Sequence, residues 1–183
     1  DRLLAMVGRT APPDSVALLA RALSNSLALR FQVTLDEIPA RPPVVAQGAA
    51  VYQTQCASCH GPAGRGDGPA AGGLEPVPSD LSDFRGLAAR TPLDFFRRVT
   101  IGVAGTAMPA YENRLSAEER WAVALYTSTL RLPAPRGEVP AAFREFTSTA
   151  RLSDAELAAA LVPGADPATP EPRARVAAIR TFG

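Results

Sequence analysis

Hydrophobic residues recur at helical spacing in several stretches of this chain. Between residues 15 and 31 they fall on one face, and Asp14 stands where an N-cap would lie, which predicts an amphipathic helix. Ser116 and Glu119 form a capping box, which marks the start of another helix. The predicted helices of the middle of the chain cover about 45–55, from 91 or 92 to 101, and 116–130.

The remaining stretches predict shorter elements and linkers. Ser153 and Glu156 form a second capping box ahead of a short helix through Leu161. A last short helix is predicted over residues 173–182. Residues 61–83 are rich in glycine and proline without periodicity, so they can bury few side chains of their own but can be ordered around a large apolar cofactor. The proline-rich stretches that read as linkers are 38–43, 133–140 and 163–172.

Composition narrows the class of protein. With 183 residues the chain holds one ordinary domain, or a small domain with extensions. The net charge of +1 gives no indication of nucleic-acid or anionic-membrane binding, and all 19 basic residues are arginine. The sequence shows no signal peptide and no run of about 20 apolar residues. It begins at Asp1 without a methionine, so we expect a processed or excised piece of a longer precursor.

The central motif is Cys56-Ala57-Ser58-Cys59-His60. This order is the attachment signal for a c-type haem, in which each thiol forms a thioether with one porphyrin vinyl group. His60 then lies where its imidazole can ligate the iron. These are the only two cysteines and the only histidine, so the motif predicts one covalent haem c at Cys56 and Cys59.

Two other chemistries use similar residues. A structural zinc site takes four ligands, and only three candidates lie here. A thioredoxin-like pair needs a strand before the cysteines, whereas the preceding residues predict a helix. The haem interpretation is therefore favoured over both.

The sixth iron ligand follows by elimination. A low-spin cytochrome takes a second axial ligand, usually Met or His, and neither a second histidine nor a lysine exists. Of the two methionines, Met6 precedes a separate predicted helix, whereas Met108 stands in a glycine-flanked loop 48 residues after His60 (108 − 60). We therefore predict that Met108 is the ligand, with filling of a core gap as the alternative.

The groups around the haem are less constrained by sequence. A ligating imidazole usually donates its other N–H to a carbonyl, and the carbonyl of Pro69 is the candidate here. The haem propionates need cationic or hydrogen-bonding partners. The candidates for these are Arg65, Arg98, Tyr111 and Trp121.

Residues 45–131 resemble a class I cytochrome c domain. The resemblance rests on Gly48 and Tyr52, the Cys56–Gly61 and Gly64–Gly68 segments, the Met108 loop, and the helix with Trp121 and Tyr126. It implies an all-α fold around one covalent haem, in which the first and last helices cross, with Gly48 and Tyr52 near Tyr126. It also implies Cys56, Cys59, His60 and Met108 as the haem residues. The implied domains are a helical extension and linker at 1–43, the cytochrome at 44–132, and a C-terminal helical extension or linker at 133–183.

A narrower resemblance extends over most of the chain. Segments 66–71, 76–81 and 100–110 and both helical flanks are similar to the periplasmic part of bacterial cytochrome c–iron permease fusions. That resemblance implies a membrane permease tethered beyond the C-terminus and Fe²⁺ or Fe³⁺ as a partner. The permease signature Arg-Glu-x-x-Glu is absent, since Arg144-Glu145 lacks the second glutamate.

The expected function is single-electron transfer without enzymatic activity, in the periplasm, because covalent haem attachment takes place outside the bacterial inner membrane. We expect a redox partner protein or iron as partner, and no nucleic acid. The alternatives are a diffusible electron carrier of a respiratory or photosynthetic chain and a haem sensor with a labile Met108. A catalytic haem would need an open iron position, which the Met108 loop disfavours.

Overall fold

The computed structural model describes Leu19 and residues 38–182. The chain divides into two compact units, Asp1–Glu37 and Ile38–Gly183. The helix predicted over residues 15–31 therefore lies outside the described residues except at Leu19, which is helical, and Met6 lies outside them as well. The helices from residue 45 onward belong to the second unit.

Every regular element in residues 38–182 is helical, which confirms the all-α prediction. The predicted helices at 45–55, 91–101 and 116–130 lie within a residue or so of their expected bounds. The helix predicted to end at Leu161 begins at Asp154, directly after its cap Ser153. The last helix, predicted over 173–182, covers Pro170–Arg180, so its first turn lies in a stretch that was expected to be a linker. The α-helices are α1 (Val45–Gln55), α2 (Ala57–His60), α3 (Phe84–Leu87), α4 (Pro92–Ile101), α5 (Ala117–Thr129), α6 (Phe146–Thr149), α7 (Asp154–Leu161) and α8 (Pro170–Arg180), with a 3₁₀ turn at Ala141–Phe143 between α5 and α6. None of these helices has the length and apolar character that crossing a membrane requires.

The predicted capping boxes are present. Ser116 accepts a hydrogen bond from the amide of Glu119 at 3.1 Å, and the Glu119 carboxylate accepts one from the Ser116 amide at 2.8 Å. Ser153 and Glu156 make the same reciprocal pair at the start of α7. These bonds satisfy backbone N–H groups that have no partner within a helix, and so they fix where α5 and α7 begin.

Helix α1 packs against α5 at a glycine. A Cβ atom added at Gly48 would lie 2.0 Å from the carbonyl oxygen of Ala122 and 2.9 Å from Cβ of Tyr126, so only glycine allows the two backbones to approach this closely. One turn further on, the rings of Tyr52 and Tyr126 meet with centroids 5.3 Å apart. This is the crossing that the cytochrome resemblance implied.

Helix α4 packs on the other part of α5 through aromatic rings. Phe96 stacks on Trp121 with centroids 4.2 Å apart and planes 12° from parallel. Both side chains are almost fully buried. Phe146 from α6 meets Trp121 edge-on at 5.6 Å. Trp121 is therefore a core residue that joins α4, α5 and α6.

The C-terminal residues are tied to the preceding helices by buried charges. Asp154 accepts hydrogen bonds from Nε of Arg131 at 2.8 Å and from Nε of Arg180 at 2.9 Å. Arg180 also donates to the carbonyl oxygens of Thr149 and Leu152. All three charged side chains are 2% exposed or less. Asp154 and Arg180 are thus joined to Arg131, which lies just after α5, and the proposed domain boundary at 132 stays a prediction.

Candidate haem site

A cavity of about 360 Å³ lies between α1, α2, α4 and two loops. Its walls are mostly apolar, and they come from residues 52–60, 74–81, 87–99 and 103–111, together with Val123 and Thr127. All four residues predicted for haem binding line it, namely Cys56, Cys59, His60 and Met108. The fold therefore brings residues more than 45 positions apart in sequence to one space.

The two cysteines and His60 stand on a single helical turn. The amide of Cys56 donates to the carbonyl of Tyr52 at 2.9 Å, and the amide of His60 donates to the carbonyl of Cys56 at the same distance. Both cysteines are free thiols and half-buried. Burial, with a smaller contribution from Cys59, raises the pKa of Cys56 to about 11. Neither cysteine is part of a disulfide, so both sulfur atoms remain available for thioether bonds.

The ring of His60 is oriented by a backbone carbonyl. Its Nδ1 lies 3.1 Å from the carbonyl oxygen of Ser79. Since a carbonyl oxygen only accepts, Nδ1 carries the proton and Nε2 keeps its lone pair free for a metal. This is the arrangement expected of an imidazole ligand whose other nitrogen is fixed by a hydrogen bond.

The prediction that Pro69 supplies this carbonyl is wrong. The loop after His60 turns back early, so that the amide of Gly68 donates to the carbonyl of Cys59 at 3.2 Å and Ala70 donates to Ser58 at 2.8 Å. A Cβ at Gly68 would lie 2.3 Å from the Ser58 carbonyl oxygen. Pro69 is therefore held against the backbone of α2, and the chain reaches the imidazole only ten residues later, at Ser79.

The Met108 loop is held at both ends. Inside it, the Val103 amide donates to the Met108 carbonyl at 3.2 Å, and the Met108 amide donates to the Thr106 hydroxyl at 3.1 Å. Beyond it, the Tyr111 amide donates to the Val99 carbonyl at 3.0 Å. The Tyr111 hydroxyl donates to the Gln55 carbonyl at 2.9 Å, just before Cys56. Tyr111 thus links the methionine loop to the cysteine segment.

Only two of the four candidate propionate partners line the cavity. Arg98 and Tyr111 line the cavity, and so does Arg90, which no periodic or motif signal had indicated. Trp121 is buried against Phe96 and, like Arg65, is not part of the cavity wall. Burial raises the pKa of Tyr52 and of Tyr111, and it lowers the pKa of Arg98.

These residues fit a covalent haem c. The cavity lies within the range of about 300–1,000 Å³ that is usual for cofactor pockets, and its apolar walls suit a porphyrin. The two thiols, an imidazole with a free Nε2 and a thioether are the donor set that haem c takes. When bound, haem c supplies an iron that cycles between the ferrous and ferric states. Fold and site together define a c-type cytochrome domain of the class I kind.

Comparison with known proteins agrees with this class. Residues 43–126 match the family model described as cytochrome C oxidase, cbb3-type, subunit III, and this part of the chain is a cytochrome c domain with haem c as its cofactor. No curated protein matches the chain.

Two solved structures are similar to parts of it. One is the Kuenenia stuttgartiensis reducing HAO-like protein complex Kustc0457/Kustc0458, at 34% identity over 52% of this chain, with a TM-score of 0.47. This chain spans 49% of that protein's length. The other is the KustC0563 c-type cytochrome, at 20% identity over 46% of this chain and 96% of that one, with a TM-score of 0.39.

Proposed function

We propose that this protein transfers single electrons through a haem c bound to Cys56 and Cys59, with His60 and Met108 as the axial ligands of the iron. The observation that carries the proposal is the shared cavity, which is lined by all four residues although Met108 is remote from the others in sequence. Electron transfer between proteins needs an iron that changes its charge without changing its ligands, and two protein ligands provide this.

Each residue has a role that its surroundings support. The Ser79 carbonyl fixes the proton on Nδ1 of His60 and so aims Nε2 into the cavity. The Thr106 hydroxyl and the Val103 amide hold the backbone on both sides of the Met108 side chain. A soft thioether favours ferrous iron, so the pair should give a higher reduction potential than two histidines would.

Covalent attachment can be tested by mass. The chain is produced in a host with the c-type maturation system, and the purified protein is weighed under denaturing conditions. We expect one haem added per chain, and none added to a variant carrying both Cys56→Ala and Cys59→Ala. A wild-type mass equal to that of the polypeptide alone would contradict the proposal.

We further propose that this domain works in the periplasm as the redox part of an iron uptake permease. Support comes from the resemblance of segments 66–71, 76–81 and 100–110, and of the flanks, to cytochrome–permease fusions. Fe²⁺ would then pass one electron to the ferric haem and leave as Fe³⁺. A redox partner protein that reoxidises the haem is required in that scheme.

Two observations test this narrower role. Stopped-flow mixing of oxidised protein with ferrous iron should reduce the haem, and failure to do so at every iron concentration would exclude direct oxidation of iron. The complete reading frame should carry apolar segments with Arg-Glu-x-x-Glu after Gly183. A frame without them would favour the diffusible carrier instead.

A further inference from the structure

Two arginine side chains share the cavity with the proposed iron ligands. Arg90 stands just before the N-cap of α4, and Arg98 stands in the last turn of the same helix. Among the described residues that line this cavity there is no carboxylate. Two guanidinium groups thus border an apolar space that holds no anionic side chain.

This arrangement is unfavourable for the protein alone. The pKa of Arg98 is lowered first by burial and then by the charge of Arg90, and Asp94 acts in the opposite sense. The Asp94 carboxylate also accepts the hydrogen bond of the Thr91 amide in the α4 capping box at 2.9 Å. Like charges beside a low-dielectric space raise each other's free energy unless an anion lies near them.

We infer that Arg90 and Arg98 bind the two propionate carboxylates of the haem and keep them ionised. The inference rests on the proposed function, since it needs the haem in this cavity. Guanidinium groups match carboxylates through paired N–H donors, and two of them balance the two negative charges that haem c brings. Tyr111, the other candidate in the cavity wall, already donates its hydroxyl proton to the Gln55 carbonyl.

The pairing has a consequence for the reduction potential. A carboxylate held by arginine stays ionised across the neutral range, so the wild-type potential should not change between about pH 5 and about pH 8. The other titratable groups that face the cavity are Tyr52, Tyr111, His60, Cys56 and Cys59. Burial raises the pKa of both tyrosines, and the proposed haem bonds engage the other three.

Loss of Arg98 should produce a dependence on pH with a definite sign. An unpaired propionate beside an apolar cavity has a raised pKa, so it is neutral at low pH and charged at high pH. The unpaired negative charge stabilises ferric iron, and the potential therefore falls as the pH rises. At low pH the propionate of the variant is protonated and neutral. It then stands where the wild type has an arginine–propionate pair of zero net charge, so the potential stays near the wild-type value.

The test compares three variants in potentiometric titrations of protein with covalent haem. Arg98→Gln should match wild type at about pH 5 and lose about tenfold in the equilibrium constant of reduction at about pH 8, which is about 59 mV for one electron. Arg98→Lys keeps the charge and should remain close to wild type. Arg97→Gln is the control. Arg97 lies next to Arg98 on the same helix but does not line the cavity, so its loss should leave the reduction potential unchanged.

Other results would overturn the inference. If Arg98→Gln kept the wild-type potential at both pH values, the pairing would be absent. An equal shift at both pH values would show a packing effect instead. Should Arg98→Gln fail to bind haem, Arg90→Gln serves in its place, and a wild-type potential that falls across this pH range contradicts the inference without any variant. A wild-type chain that lacks covalent haem would overturn the proposed function as well.

Discussion

At the scale of single residues, the site depends on backbone groups as much as on side chains. The Ser79 carbonyl orients His60, and the Gln55 carbonyl accepts from Tyr111, which joins the two halves of the cavity wall. Any residue type could supply these carbonyls. The path of the loops sets the positions of these carbonyls, and the same loop path brings Met108 and His60 to one cavity.

Replacing Met108 should open the iron. In Met108→Ala we expect loss of the long-wavelength absorption band of Met–ferric haem, a lower reduction potential and rapid CO binding to the ferrous protein, because no other thioether lines the cavity among the described residues. Met6→Ala, which changes the only other methionine, is the control and should keep the band. Loss of the band in Met6→Ala with its retention in Met108→Ala would show that the ligand was misassigned.

The candidate haem residues could be proposed from the sequence, and so could Arg98 and Tyr111 in the cavity wall, but two of their neighbours could not. Cys56, Cys59 and His60 form a contiguous motif, and Met108 followed from the shortage of other donors. The carbonyl of Ser79 and the side chain of Arg90 carry no such signal. The assignment of the Pro69 carbonyl as the partner of His60 was wrong because hydrogen bonds from the Gly68 and Ala70 amides hold the loop against α2.

At the scale of helices, the crossing of α1 and α5 determines where the helices around the cavity lie. Gly48 permits that crossing, and Tyr52 stands one turn later with its hydroxyl bonded to the Gly61 carbonyl at 2.8 Å, which ties α1 to the turn after His60. A shift of α1 would therefore move the turn that carries Cys56, Cys59 and His60.

A methyl group at Gly48 should separate these helices. The added Cβ would meet the Ala122 carbonyl, which is backbone and does not move aside, so Gly48→Ala should cost about 3 kcal/mol of the free energy of unfolding. Denaturant titration of the haem-bound protein measures this. At Gly72 an added Cβ has nothing within 4 Å, so Gly72→Ala is the control. Equal stability of the two variants would contradict the close crossing.

The buried charge cluster should be the main attachment of the C-terminal helices. Asp154→Ala leaves the guanidinium groups of Arg131 and Arg180 buried without their carboxylate, which typically costs about 3–5 kcal/mol. Glu171→Ala, which breaks an exposed pair with Arg175, should have little effect. If thermal unfolding of Asp154→Ala matched that of Glu171→Ala, the cluster would have no structural role.

Helix prediction succeeded where periodicity and caps coincide. Helices α5 and α7 each follow a capping box, and α4 begins with proline after Thr91. The elements that were not predicted, α2, α3, α6 and the 3₁₀ turn, have only three or four residues, too few to show a period. Two of them are held by buried aromatic side chains, Phe146 of α6 against Trp121 and Phe84 of α3.

At the scale of the whole molecule, a haem bound in the cavity would form part of the core. The cavity separates α4 from α1 and α2, and an empty space of this volume would leave apolar walls without contacts. A second apolar cluster, formed by Val139, Leu157, Ala158, Val176 and Ile179, lies in the C-terminal part and is much smaller.

The chain without haem should therefore be largely unfolded. In the variant with both Cys56→Ala and Cys59→Ala we expect most of the far-ultraviolet circular dichroism of the haem-bound protein to be lost, since the central cavity has nothing to pack against. The wild-type protein with haem, measured at the same concentration, is the reference. A native-like spectrum of the variant would show that the polypeptide folds by itself.

The most direct test of the central claim is a potentiometric titration of the purified wild-type protein, followed through its visible absorption. We expect one reversible wave of one electron per chain, with the Met–haem band present in the oxidised form and no binding of CO by the reduced form on mixing. A protein without visible absorption, a wave of more than one electron, or immediate CO binding would contradict electron transfer through a haem ligated by His60 and Met108.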